Sequence, residues 1–199
     1  MSNDGDQTLY VVGGSQRCGT SMMMDALMQG GMEDMAEYDK GREEMRKEHA
    51  DENYDPNENG LYELARSEYQ KRKFPRGYEG KLIKCLRRGV VEMQPMYEGI
   101  RLVFMRRPFD QIKRSWRAFF DRELPFEDDP TEHDMNMTEI IERCQFRKDF
   151  LSVDVFRYPK LVDDPLRYFK ILESHNWPIN PYESARVVDP DLYRHRDKT

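Results

Sequence analysis

The stretch Leu9 to Gly31, LYVVGGSQRCGTSMMMDALMQGG, constrains this chain more than any other. Leu9 to Val12 are apolar, aromatic or β-branched and run into Gly13-Gly14, the pattern of a buried strand meeting a sharp turn. Beyond Gly19, Thr20 and Ser21 can cap a helix with Met23, Met24, Leu27 and Met28 on its apolar side and Gly30-Gly31 as its stop. A strand, a glycine-bounded loop and a helix in this order aim backbone N–H groups and the positive end of a helix dipole at one point. A phosphate or sulfate group is the natural guest there.

What the loop lacks narrows the anion. Gly14 and Gly19 have the Walker A spacing, but Thr20 stands where that motif carries its lysine, while Ser21 keeps the final hydroxyl. A loop that transfers or hydrolyses phosphoryl groups uses that lysine together with magnesium, so a nucleotide kinase is the weaker enzymatic reading. The cation here is inside the loop, at Arg17. Arg101 to Phe120, RLVFMRRPFDQIKRSWRAFF, repeats the strand, loop and helix with a different polar set. Leu102 to Met105 form the strand, Arg106-Arg107 end it, and Pro108 takes a first-turn position. Ile112, Ser115, Trp116, Phe119 and Phe120 then fall mainly on one helix face. Arg107 and Ser115 can converge, and a planar guanidinium beside a hydroxyl suits a doubly charged phosphate.

Ser15-Gln16-Arg17-Cys18-Gly19-Thr20-Ser21 resembles the 5′-phosphosulfate loop of sulfotransferases that use 3′-phosphoadenosine 5′-phosphosulfate (PAPS). Gln16 replaces that family's proline and Cys18 its serine. Arg107, Pro108, Asp110 and Ser115 resemble the family's 3′-phosphate segment, in which an arginine ends a strand and a serine follows on the next helix; the family's residue between arginine and proline is missing here. Tyr158, Leu161 and Pro165 resemble a late tyrosine-leucine-proline segment of the same proteins, read as structural, with contact of Tyr158 to the nucleotide as the alternative. The resemblance implies a three-layer, P-loop-like α/β fold with a central, mainly parallel sheet flanked by helices. It also implies PAPS as co-substrate and no metal.

Strand-like and helix-like segments alternate along the chain, and its 199 residues suit a single domain. Charged residues make up 35% and the net charge is −6, which argues against nucleic-acid binding by bulk electrostatics. Basic residues nevertheless cluster at Arg87-Arg88, Arg106-Arg107 and Arg114 to Arg117. Cys18, Cys85 and Cys144 are too few and scattered for a disulfide framework or metal cluster. With no apolar run of membrane-spanning length, the reading is a cytoplasmic protein without an anchor.

Residues 32–60, poor in core-forming types, read as an exposed helix or mobile active-site segment, and Glu63 to Lys73 as helix. Gly80 to Leu86 reads as a strand parallel to the first, ended by Lys84; Leu86 stands where cytosolic sulfotransferases have their histidine base. Glu123 to Glu132 reads as an acidic surface loop. Thr138 to Phe150 reads as a helix capped by Thr138, Val153 to Tyr158 as a strand, and Pro165 to Glu173 as a helix. The tail, 187–199, is either a solvated basic end or a lid whose arginines, Arg194 among them, close over the 3′-phosphate.

The activity implied is transfer of a sulfuryl group from PAPS to an acceptor hydroxyl or amine on a small molecule, glycan or peptide. Arg17 and the loop N–H groups would stabilise charge on the leaving phosphate, Thr20 and Ser21 would hold it, and Lys84 could reach the sulfuryl group. Glu63 is the candidate base, with His49 and Glu58 as substitutes. A binding module that kept the nucleotide site and lost the base is the non-enzymatic alternative. The acceptor and the oligomeric state are not legible.

Overall fold

A computed structural model describes residues 8–34, 80–87, 89–92, 99–120 and 129–189. Four strands, β1 (Thr8–Gly14), β2 (Leu82–Leu86), β3 (Gly99–Arg106) and β4 (Phe150–Arg157), form one sheet in the order β2-β1-β3-β4. Every neighbouring pair is parallel. Parallel neighbours need crossover connections, so the apolar runs must be covered on both faces. Alternation along the strands sends residues to two separate cores. Tyr10, Val12, Val103, Met105 and Phe156 face one way, while Leu9, Val11, Ile83, Cys85, Leu102 and Phe104 face the other.

Helices α1 (Thr20–Gln29) and α2 (Gly89–Glu92) follow β1 and β2, and α3 (Phe109–Phe120) and α4 (Pro130–Phe146) lie between β3 and β4. After β4 come α5 (Tyr158–Asp163), α6 (Pro165–Ser174) and α7 (Pro181–Arg186). Met23 and Leu27 of α1, Leu161 of α5, and Phe169 and Leu172 of α6 cover the first face. Val90 of α2 and Met137, Ile140 and Cys144 of α4 cover the second. The result is the three-layer α/β arrangement expected from the sequence. Full burial of a leucine, isoleucine or phenylalanine side chain contributes about 1.5–3 kcal/mol, so the paired cores drive the assembly. Among the described residues no helix is long and apolar enough to cross a membrane.

Several boundaries differ from expectation. Lys84 sits inside β2 opposite Val12, and the strand runs on to Leu86. The N-cap of α1 is Gly19, not Thr20 or Ser21; Thr20 is already the first helical residue. Pro108 precedes α3, its carbonyl accepting from the N–H of Ile112 at 3.1 Å. Helix α4 starts at Pro130, capped by the Asp129 carboxylate on the Thr131 N–H at 2.6 Å, so Pro130 to Glu132 are helical and not loop. Thr138 lies inside that helix, its hydroxyl donating to the Asp134 carbonyl, and Phe150 already belongs to β4. The readings of residues 35–79, including the helix from Glu63 to Lys73, and of the tail beyond Asp189 lie outside the described residues.

Candidate functional site

Strand β1 has β2 on one side and β3 on the other, so the connections diverge above its carboxyl end. Open α/β sheets bind ligands in the crevice at such a point, and Ser15 to Gly19 occupy it. The loop turns by backbone conformations that most residues avoid: φ is +145° at Gly14, +63° at Arg17 and +96° at Gly19. A side chain at Gly14 would lie 2.6 Å from the Cys18 sulfur and 2.7 Å from the Met105 carbonyl oxygen. One at Gly19 would lie 2.2 Å from the Tyr158 ring. Both glycines are therefore required by space as well as by conformation.

Cys18 turns inward. Its thiol is fully buried and donates to the Ser15 carbonyl at 2.7 Å, so its side chain ties the loop together from the inside. Burial pushes this thiol up to about 11, against the lowering effect of the Ser15 contact and the Lys84 charge. It stays a thiol at neutral pH. Ser15 and Thr20 are buried as well, Ser21 is half-buried, and Gln16 is exposed.

The two halves foreseen from the sequence meet on Arg17. Its Nε donates to the Ser115 hydroxyl at 3.2 Å, across 98 residues of chain. Its carbonyl accepts from Nη1 of Arg107 at 3.1 Å, across 90 residues. Arg107 and Ser115 thus converge through the loop. The Arg107 Nε donates to Oε1 of Gln111 at 3.3 Å, and the guanidinium lies 4.8 Å from the centre of the Tyr158 ring. Tyr158 therefore carries the loop at Gly19 and Arg107 together. From β2, Lys84 reaches the same place, its buried Nζ donating to the Ser21 hydroxyl at 3.1 Å. Lys84 shares a sheet face with Leu82, toward α1, which explains the contact.

Three cations from three elements thus gather at the carboxyl ends of neighbouring strands, beside the N-terminus of α1. Such a set suits a phosphate or sulfate group. Neighbouring basic residues are committed elsewhere: Arg106 pairs with Asp134 at 2.9 Å and Arg114 with Asp110 at 2.7 Å. Arg106, Asp134, Met135, Thr138 and Glu142 border a groove of about 550 Å³ whose lining includes none of the loop residues. Glu63, His49, Glu58 and Arg194 lie outside the described residues. Among the described residues no group of three or more His, Cys, Asp or Glu could hold a metal ion. Gln111, buried and four residues beyond Arg107, was missed; the helical i,i+4 spacing was its available signal. The chain matches no family model, and no curated protein matches it.

Proposed function

We propose that this protein is a PAPS-dependent sulfotransferase. The observation that carries the reading is the meeting of Arg17, Arg107 and Ser115, three residues whose resemblance to the family rests on two separate stretches of sequence. In the proposed reaction the acceptor oxygen or nitrogen attacks sulfur in line with the bridging oxygen. The sulfur–oxygen bond to the phosphate breaks, and adenosine 3′,5′-bisphosphate leaves with the electron pair. In this reading Arg17 and the N–H groups of the loop stabilise the growing charge on that phosphate, Thr20 and Ser21 hold it, and Lys84 reaches the sulfuryl group. Arg107 and Ser115 hold the 3′-phosphate. The acceptor's proton goes to a base, for which Glu63 is the candidate.

Incubation with sulfur-labelled PAPS and an acceptor panel of phenols, sugars, lipids and peptides, read by mass spectrometry, tests the activity. Calorimetry with adenosine 3′,5′-bisphosphate tests the site separately. Tight bisphosphate binding with no transfer to any acceptor identifies a binding module; magnesium-dependent ATP turnover without bisphosphate binding identifies a kinase. Glu63→Gln should keep bisphosphate affinity and abolish transfer, and full activity in that variant moves the base elsewhere.

A further inference from the structure

A second polar cluster lies under the turn after α6, on the sheet face that carries Tyr10 and Phe156. Tyr10 of β1, Arg101 of β3 and Ser152 of β4 are register partners in one row across the sheet, and Asp154 is two residues beyond Ser152 on the same face. The turn closes over that row. The Trp177 ring packs on Tyr10 at 5.1 Å between centres, Arg101 Nη1 donates to the His175 carbonyl at 2.6 Å, and His175 Nδ1 meets Asp154 Oδ1 at 2.7 Å.

Among the described residues, four polar atoms of this row and its cover are buried without a hydrogen-bond partner: Arg101 Nε, Ser152 Oγ, Asp154 Oδ2 and Trp177 Nε1. Asp154 is only 7% exposed and Trp177 only 2%. An orphaned buried polar group costs about 1–3 kcal/mol, and four in one place are incompatible with the rule that such groups are satisfied. The chemistry of the set selects the occupant. Two N–H donors, a hydroxyl and one carboxylate oxygen match a molecule that both accepts and donates. The guanidinium repels a cation and the carboxylate repels an anion, so the occupant is neutral.

We infer that this row holds one or more internal water molecules, which bridge the Asp154 carboxylate to Arg101, Ser152 and the Trp177 indole and fasten the turn after α6 to β3 and β4. A crystal structure resolving ordered solvent should place water within hydrogen-bond distance of at least two of the four atoms. A direct Arg101–Asp154 ion pair, or density for a salt ion, overturns the inference. A second measurement works in solution: on protein labelled with nitrogen-15 at its two tryptophans, the Trp177 indole proton should cross-relax with a long-lived water, and the signal is assigned by its loss in Trp177→Phe. Exchange with bulk solvent alone at that proton overturns it equally.

Discussion

Replacing Gly19 by alanine tests the joint between the loop and the rest of the site. At φ +96° an L-residue loses roughly 1–2 kcal/mol relative to glycine. The added carbon would lie 2.2 Å and 2.6 Å from two Tyr158 ring atoms, an overpacking that costs about 1–3 kcal/mol after relaxation. The expected destabilisation is therefore roughly 2–5 kcal/mol, a large share of the ~5–15 kcal/mol that stabilises a domain. At ~2–4 °C per kcal/mol for this size, the melting temperature should fall by about 4–20 °C. Because Tyr158 also carries Arg107, the same clash should weaken bisphosphate binding. Tyr158→Ala alone loses the ring and its cation contact. Combined with Gly19→Ala, however, it removes the clash, so the double variant should be more stable than the sum of the singles predicts, by roughly 0.5–3 kcal/mol. Thermal denaturation of the four proteins measures that coupling. Strict additivity, or a Gly19→Ala protein as stable as the parent, would refute the contact.

Arg107→Ala should raise the bisphosphate dissociation constant by about 10–100-fold, since a hydrogen bond to a charged group contributes ~1.5–3 kcal/mol; an unchanged constant by calorimetry removes the 3′-phosphate assignment. Arg17→Gly relieves a left-handed backbone strain of roughly 1–2 kcal/mol but removes the contact to Ser115. It should unfold at nearly the parental temperature while binding bisphosphate far more weakly, and parental affinity would deny Arg17 a role. The Cys18 thiol, raised from 9.0 to about 11 in the folded state, binds its proton more tightly there than in the unfolded chain. Its contribution to stability is complete below pH 9 and is lost as pH rises toward 11, by ~1.4 kcal/mol per unit. Urea denaturation at pH 8 and pH 10 should therefore show a smaller loss in Cys18→Ala than in the parent, and equal losses contradict this.

The elements legible in the sequence were those with one dominant local signal. The continuous apolar runs of β1 and β3 and the glycines flanking α1 left little choice of element type, although β3 is longer than Leu102 to Met105 and α1 is capped one residue earlier than expected. Helix α4 was misread at its start because its first buried residue is His133, a polar type in a segment rich in acids. Its buried positions, His133, Met137, Ile140, Ile141 and Cys144, keep helical spacing once the histidine is counted as core, and Asp129-Pro130 is a cap followed by a first-turn proline. Lys84 reads as the end of β2 in line with the sulfotransferase segment whose lysine precedes the histidine base. Its amine instead turns to the Ser21 hydroxyl, so a buried mid-strand position is tolerable.

The spacing of Arg107 and Ser115 was visible, but their meeting point was not. Sequence spacing places both near the carboxyl end of β3; only the parallel pairing of β1 with β3 brings that end beside the loop. The left-handed Arg17 then follows from the partners. A residue there costs strain that a glycine would avoid, and the conformation turns its carbonyl toward Arg107 and its guanidinium toward Ser115. Strain of this kind persists where surrounding contacts over-determine it. One hydrogen bond from each side of the residue, both from the β3–α3 segment, is such a pair of constraints. The loop's shape is therefore set as much by Arg107 and Ser115 as by its own glycines, and a perturbation of either half should be felt at the other.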